Sequence, residues 1–173
     1  MKYYLKHIDE DSAIRLADFF VLHKDQLPHI LLLDGEVGTG KTTFSRAYIT
    51  HGDTTVAFSS PTYTLVNEYN VQGRKMHHFD LYRITADDYD WIYEYLENEQ
   101  AINLVEWAML HCELFEDYQY VSLYFEYDTE NTRNIRVGMN EKYASIMEEF
   151  LTNESIVFEK CNESVDCFVS RNC

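Results

Sequence analysis

Three of the chain's six glycines lie close together, at Gly35, Gly38 and Gly40. Lys41 and Thr42 follow directly, so the segment matches the pattern GxxxxGK[ST], in which a glycine-rich loop joins a strand to a helix. Glycines let successive backbone N–H groups turn towards phosphate oxygens without a clash of β-carbons. The segment therefore predicts a loop that binds the phosphates of a nucleoside triphosphate.

The two residues that end this loop have separate chemical roles in the predicted site. Lys41 would reach the β- and γ-phosphates, and the hydroxyl of Thr42 would bind Mg²⁺. The helix that follows would direct the positive end of its dipole at the phosphates. The sequence contains no Asn-Lys-x-Asp element of the kind that reads guanine, so the predicted nucleotide is ATP rather than GTP.

A magnesium site of this type also needs a carboxylate at the end of a neighbouring buried strand. Asp80 and Glu106 each follow a strand-like apolar run. An acid at a strand end is commonly a cap or a solvated group, and sequence spacing does not decide between these two residues. His77 and His78 stand just before Asp80, but adjacent strand residues point to opposite faces, so they are not predicted to share a metal.

Hydrophobic periodicity predicts the elements that would position these residues. Strands are predicted at Lys2–Ile8, Ile30–Asp34, Thr64–Tyr69, Lys75–Tyr82, Ile102–Trp107, Tyr120–Tyr127 and Asn134–Met139. Helices are predicted at Asp9–His23, Lys41–His51, Asp87–Glu97 and Glu141–Leu151. The pattern indicates a single α/β domain of P-loop NTPase type, with a mixed sheet flanked by helices, over residues 1–151. Residues 152–173 are expected to form a poorly ordered tail.

The composition restricts the partners that such a domain could have. The chain has 30 Asp and Glu against 14 Lys and Arg, a formal charge of −16. Binding to nucleic acid over a broad face needs clustered basic residues, and an anionic membrane surface would repel this chain. Its uncharged aliphatic runs are far shorter than the ~20 residues of a membrane helix. The N-terminus becomes acidic where a signal peptide would become apolar, so a cytoplasmic location is expected.

The C-terminal cysteines are spaced unlike paired metal ligands. Cys161, Cys167 and Cys173 recur every six residues. Paired zinc ligands normally lie two to four residues apart, so no metal site is predicted there.

Four blocks of sequence carry the strongest functional signal. They are the phosphate loop at Gly35–Thr43, Ser-Pro-Thr-Tyr-Thr-Leu-Val-Asn-Glu-Tyr at 60–69, His-Phe-Asp-Leu-Tyr-Arg at 78–83, and Leu-Val-Glu-Trp at 104–107. A phosphate loop alone would indicate only a P-loop NTPase, whereas the other three blocks are far more selective. Together they resemble the TsaE family, the P-loop ATPase subunit of bacterial tRNA threonylcarbamoyladenosine biosynthesis.

The resemblance implies a role for each matched position. Glu106 would be the second magnesium ligand beside Thr42. Asp80 would lie at the γ-phosphate and position the attacking water, so that Asp80 and Lys41 would carry catalysis. The nucleotide would be bound by the loop residues Gly35, Glu36, Val37, Gly38, Thr39, Gly40, Lys41, Thr42 and Thr43.

Five further positions match the family outside the phosphate loop. Thr62 and Tyr63 fall in a segment that would act as a switch and sense the nucleotide. Trp107 would lie near both the site and the partner surface. Ser12 and Arg133 match positions that contact the nucleotide in the family.

At the level of function, the resemblance implies an ATPase subunit that depends on Mg²⁺ and ATP. It would act on the TsaB–TsaD complex, meet tRNA only through that complex, and hydrolyse ATP slowly when isolated. Two alternatives stay open. One is a nucleotide-gated binding module without significant hydrolysis. The other is a small-molecule kinase, which would need an acceptor pocket and an arginine-bearing lid.

Overall fold

The computed structural model describes residues 1–161 except 52, 54 and 72. The strands in this range are β1 (Lys2–Ile8), β2 (Ile30–Gly35), β3 (Val66–Val71), β4 (Arg74–Asp80), β5 (Ile102–Glu106), β6 (Val121–Tyr127), β7 (Arg133–Gly138) and β8 (Phe158–Cys161). The α-helices are α1 (Glu10–Leu22), α2 (Lys41–Thr50), α3 (Tyr89–Leu96) and α4 (Ala144–Asn153). Short 3-10 segments occupy Leu81–Arg83, Ala86–Asp88, Ala108–Phe115 and Glu141–Tyr143.

The strands form one sheet in the order β3-β4-β5-β2-β6-β7-β1-β8. Strands β4, β5, β2 and β6 pair in parallel. The outer pairs β3–β4, β6–β7, β7–β1 and β1–β8 are antiparallel. This arrangement confirms the predicted α/β domain with a mixed sheet flanked by helices.

The apolar run in β2 explains why this strand lies at the centre of the sheet. Its side chains alternate between two hydrophobic clusters, because successive strand residues face opposite sides. Leu31 and Leu33 pack with helices α1, α2 and α4. Ile30 and Leu32 pack with α3 and the 3-10 segments Leu81–Arg83 and Ala108–Phe115 on the other face. A strand covered on both faces needs apolar residues at every position, as parallel strands generally do.

Strand ends depart from the predicted boundaries at three loops. Strand β3 begins at Val66 because a turn precedes it, in which the N–H groups of Thr64 and Leu65 donate to the carbonyl of Pro61. Strand β4 ends at Asp80, whose side chain accepts from the N–H of Tyr82 and caps the next 3-10 turn. Strand β5 ends at Glu106 because the following Trp107 adopts φ 63°.

The sheet extends past the predicted domain boundary at residue 151. Helix α4 runs to Asn153, and β8 then pairs antiparallel with β1. The predictions for residues 162–173, including Cys167 and Cys173, lie outside the described residues, as does the Cys161 side chain. Within the described part of the chain, no helix combines the length and apolarity that crossing a bilayer requires.

The central strands should dominate stability, and a pair of leucines tests this. Leu104 in β5 is 0 % exposed, whereas Leu22 at the end of α1 is 68 % exposed. Leu104→Ala is expected to lower the free energy of unfolding by about 2–5 kcal/mol, because it leaves a cavity in the core. Leu22→Ala should change it by less than about 0.5 kcal/mol. Urea denaturation measures both, and equal effects would contradict this account of the core.

Candidate nucleotide-binding site

The predicted phosphate loop lies at the carboxyl end of β2 and leads into α2. Gly35 has φ +132°, and a β-carbon there would lie 2.2 Å from the carbonyl oxygen of Phe125. Gly38 has φ +79°, and a β-carbon there would lie 2.7 Å from the hydroxyl of Tyr127. Gly35 therefore requires glycine for conformation and for space, and Gly38 requires it for conformation. The Tyr127 hydroxyl also donates to the carbonyl of Val37 at 2.8 Å, which ties β6 to the loop.

The side chain of Lys41 folds back along its own loop. Its Nζ donates to the carbonyl oxygens of Gly35 at 2.6 Å and Glu36 at 2.9 Å. The same ammonium lies 4.0 Å from the ring centroid of Trp107, which is cation–π distance. The Thr39 hydroxyl donates to the Glu36 carbonyl at 2.8 Å and braces this part of the loop.

Three carboxylates surround the buried ammonium of Lys41. Burial lowers the pKa of Lys41, and the charges of Glu106, Asp34 and Asp80 oppose that shift. Because one ammonium lies among three carboxylates, the electrostatics of the site favour the binding of a second positive charge close to these acids.

Glu106 is almost fully buried at the end of β5 and is held by three side chains. Its Oε2 accepts from the Thr42 hydroxyl at 2.9 Å. Its Oε1 accepts from the Ser45 hydroxyl at 3.0 Å and lies 2.7 Å from Nε2 of His78. The contact between Thr42 and Glu106 joins the two residues that the family resemblance assigns to magnesium.

Asp80 lies beside Glu106, because the two residues are register partners in the parallel pair β4–β5. One oxygen of Asp80 accepts from the Thr62 hydroxyl at 3.0 Å, and the other accepts from the N–H of Tyr82 at 3.1 Å. The Ser60 and Thr62 hydroxyls are 2.8 Å apart. The predicted switch segment is thus connected to Asp80 through a side-chain hydrogen bond.

These residues enclose a cleft of about 410 Å³, here named the phosphate-loop cleft. Its walls combine loop residues, both strand-end acids and aromatic rings: Val37, Gly38, Gly40, Lys41, Thr42, Thr43, Thr62, Asp80, Tyr82, Glu106 and Trp107. The ring centroids of Tyr82 and Trp107 are 5.1 Å apart. Tyr63 is 84 % exposed and packs on the guanidinium of Arg83, 5.1 Å away.

A second cleft of about 240 Å³ adjoins the first on the side of α1 and β7. The shared wall is made by Gly38, Gly40 and Thr43. Arg133 lines this second cleft, and its guanidinium lies 4.7 Å from the ring centroid of Tyr127. Ser12 is not among the lining residues that the structure describes, and its hydroxyl accepts from Arg15 at 2.8 Å.

Comparison with known proteins supports a family assignment for this chain. Residues 8–135 match the family described as threonylcarbamoyl adenosine biosynthesis protein TsaE. The chain belongs to the TsaE family. The Haemophilus influenzae tRNA threonylcarbamoyladenosine biosynthesis protein TsaE is 36 % identical over 58 % of this chain and 67 % of that protein. The Rickettsia felis protein of the same name is 33 % identical over 69 % of this chain and 70 % of its own length.

One further TsaE relative matches over less of its length. The Bacillus subtilis TsaE protein is 36 % identical over 47 % of this chain, and the match spans about half of that protein, 51 %. The crystal structure of Bacillus subtilis YdiB superimposes with a TM-score of 0.64 at 23 % identity. That match covers 89 % of this chain and 95 % of YdiB, and it supports the fold.

The donor atoms at the TsaE phosphate loop fit magnesium. A hydroxyl and a carboxylate, from Thr42 and Glu106, are hard oxygen ligands of the kind that Mg²⁺ prefers. Among the described residues there is no group of three or more His, Cys, Asp or Glu side chains that could bind a metal ion without further ligands. The arrangement therefore suits an ion that also takes ligands from nucleotide phosphates.

Four residues that shape this site were not predicted from the sequence: Asp34, Ser45, His78 and Tyr127. A signal was present for two of them. Asp34 is an acid that closes an otherwise apolar strand directly before Gly35, which is an expensive place for a charge. His78 shares a strand face with Asp80, because residues two apart point the same way. The other two depend on distant contacts that the sequence does not reveal.

Asp34 connects the phosphate loop to the loop that follows Glu106. Its two carboxylate oxygens accept from the N–H of Met109 at 3.1 and 3.2 Å. Burial raises the pKa of Asp34 from 3.8 to about 7, although the Met109 hydrogen bond and the charge of Lys41 oppose the shift.

This raised pKa predicts a specific pH dependence of stability. The folded chain binds a proton at Asp34 more tightly than the unfolded chain, so the stability from this group falls as pH rises towards 7. Between about pH 5 and pH 8, the unfolding free energy of the native chain should fall by roughly 2–3 kcal/mol relative to Asp34→Asn. Urea titrations across that range measure the difference. Parallel curves for the two proteins would contradict the prediction.

Proposed function

We propose that this TsaE family member is a Mg²⁺-dependent ATPase subunit, required for threonylcarbamoyladenosine modification of tRNA, that acts on the TsaB–TsaD complex. The observation that carries the proposal is the 2.9 Å contact between Thr42 and Glu106 at the phosphate-loop cleft. A hydroxyl at the start of α2 and a buried carboxylate on the adjacent strand form the protein part of a Mg·ATP site.

Hydrolysis in this proposal depends on position and charge rather than on covalent chemistry. The loop N–H groups and the N-terminus of α2 would bind the phosphates, and Lys41 would exchange its contacts with the Gly35 and Glu36 carbonyls for phosphate oxygens. Thr42 and Glu106 would hold Mg²⁺, which supplies positive charge to the phosphate oxygens when bound. The buried position of Lys41 strengthens its interaction with an anionic ligand.

Asp80 is the proposed group that orients the attacking water. It is largely buried, lines the phosphate-loop cleft and is fixed by hydrogen bonds from Thr62 and Tyr82. Because the Thr62 hydroxyl contacts Asp80 directly, a change at the γ-phosphate would be transmitted to the segment around Tyr63. Through this contact, the state of the bound nucleotide would affect the conformation of an exposed surface segment.

The partner assignment depends on charge and on two exposed rings, Tyr82 in the wall of the cleft and Tyr63 next to the lining residue Thr62. Tyr63 and Tyr82 are 84 % and 60 % exposed, and exposed aromatic side chains are typical of protein interfaces. A formal charge of −16 suits a subunit that leaves tRNA to its partners. The described lining of the phosphate-loop cleft includes no arginine, so we expect slow hydrolysis until the complex is formed.

The first test is ATP hydrolysis by the chain alone and with TsaB–TsaD and tRNA. We expect the partners to stimulate hydrolysis, and Thr42→Ala to lower the stimulated kcat/KM by about 10²–10³-fold, because it removes a magnesium ligand. Thr50→Ala is the matched control at the other end of α2, where the hydroxyl donates to the carbonyl of Arg46 in its own helix. Failure of the native chain to bind ATP at all would refute the proposal.

A second prediction separates hydrolysis from nucleotide-gated binding. Asp80→Asn keeps an oxygen for the N–H of Tyr82 but removes the negative charge that would orient water. We expect the stimulated kcat to fall by about 10²-fold or more, with ATP affinity changed by no more than a few-fold. The measurement pairs single-turnover hydrolysis with calorimetric titration of ATP.

The same variant also tests the alternative function. A module that only switches partners would tolerate Asp80→Asn and would still support tRNA modification in a complementation assay. Full complementation, together with ATP binding and no detectable hydrolysis by the native complex, would favour that module over the ATPase.

A further inference from the structure

His78 is a fully buried histidine that contacts the magnesium-site carboxylate without lining the phosphate-loop cleft. Its side chain is 0 % exposed, and its Nε2 lies 2.7 Å from Oε1 of Glu106. A carboxylate can only accept hydrogen bonds, so Nε2 is the donor in this contact. Strand β4 places the histidine there because His78 and Asp80 share one face of the sheet.

The surroundings of the other ring nitrogen determine where the proton of His78 resides. Nδ1 is buried and has no hydrogen-bond partner in the described part of the chain. The ring of Phe58 stacks against the imidazole, with centroids 5.6 Å apart. A proton on Nδ1 would be an unpaired buried donor, which is costly, so the neutral ring carries its proton on Nε2. His78 is therefore a fixed donor towards Glu106.

Donors on Glu106 are divided unequally between its two oxygens. His78 donates to Oε1 from β4, and the Ser45 hydroxyl in α2 shares its one proton between Oε1 and the carbonyl of Lys41. Oε2 accepts only from Thr42 among the side-chain contacts that the structure describes. Two donors on one oxygen fix the plane of the carboxylate and leave the other oxygen directed towards the phosphate loop.

We propose that His78 is a positioning residue for Glu106, which holds Oε2 towards Thr42 and so sets the magnesium affinity of the nucleotide site. This inference rests on the proposed function, since it requires Glu106 to be a magnesium ligand. Hydrogen bonds of this kind orient metal-binding carboxylates, and their removal typically weakens metal affinity by about 10–100-fold. Without His78, only the Ser45 hydroxyl would hold Oε1, and the carboxylate could rotate so that Oε2 moves away from Thr42.

The neighbouring residue supplies a matched control. His77 is also buried, at 3 % exposed, and its Nδ1 lies 2.8 Å from Oδ1 of Asn103. It faces the opposite side of the sheet from His78. His77→Leu therefore removes one buried histidine hydrogen bond from the same strand without touching Glu106.

The experiment measures binding, not hydrolysis, so that it does not depend on turnover. The full chain is titrated by calorimetry with adenylyl imidodiphosphate, in EDTA and over a series of Mg²⁺ concentrations. The variants are His78→Leu, which removes the donor, His78→Gln, whose amide nitrogen can replace Nε2, and His77→Leu. Thermal melting of each variant records the loss of stability separately.

We expect His78→Leu to need about 10–100-fold more Mg²⁺ than the native chain for the half-maximal gain in affinity for the ATP analogue. Its affinity for the analogue in EDTA should stay within about twofold of the native value. His78→Gln should recover most of the magnesium response. His77→Leu should keep the native response even where its melting temperature falls. If His78→Leu shows no cooperative melting, His78→Asn replaces it, because its amide is one methylene shorter than that of glutamine and falls short of Glu106.

Three results would overturn the inference. The first is a native magnesium response in the variant that lacks the donor, and the second is an equal loss of response in His77→Leu. The third is a native chain that binds the analogue with no magnesium response. Absence of any analogue binding by the native chain would instead refute the proposed function, so the two failures are distinguishable.

Discussion

A carboxylate buried at a strand end must be supplied with hydrogen-bond donors, and the site depends on how Glu106 obtains them. The residue is 3 % exposed, and an uncompensated charge at that depth costs several kcal/mol. Its donors come from different elements: His78 from β4, and Thr42 and Ser45 from the first turns of α2. Displacement of either element from β5 would remove part of this set of donors. The charge therefore links the position of the phosphate loop to the packing of the parallel strands.

The parallel register explains why residues distant in the sequence meet at one edge. Asp80 is opposite Glu106, and Glu106 is opposite Leu33, two residues before Gly35. Parallel strands reach their carboxyl ends at the same edge, so the three loops that follow them leave the sheet together. From β2 the sheet continues to β5 on one side and to β6 on the other. Ligands of open α/β sheets bind at such a point, in the crevice outside the carboxyl ends of the strands.

The sequence predicts the fold class, the phosphate loop and the central strands because each has a local physical signature. Glycine spacing identifies the loop, and an unbroken apolar run identifies a strand covered on both faces. The choice between Asp80 and Glu106 is not local, because it depends on which strand lies next to β2, and that order is absent from the sequence. Strand β8 was missed for a similar reason. It is a short edge strand with charged residues, and only its pairing with β1 defines it.

The predicted boundaries of β3 and β5 fail where the backbone departs from local preference. Leu65 has φ 66° and Trp107 has φ 63°, conformations that cost non-glycine residues about 1–3 kcal/mol and persist only when the surroundings impose them. The carbonyl of Leu65 accepts from the N–H of Asp80. The N–H of Trp107 donates to the carbonyl of Leu33, and the Trp107 ring packs over the Lys41 ammonium. Leu65 is thus held by β4, which carries Asp80, and Trp107 by β2, which leads into the phosphate loop. These two conformations therefore depend on contacts with the strands beside the cleft rather than on local backbone preference.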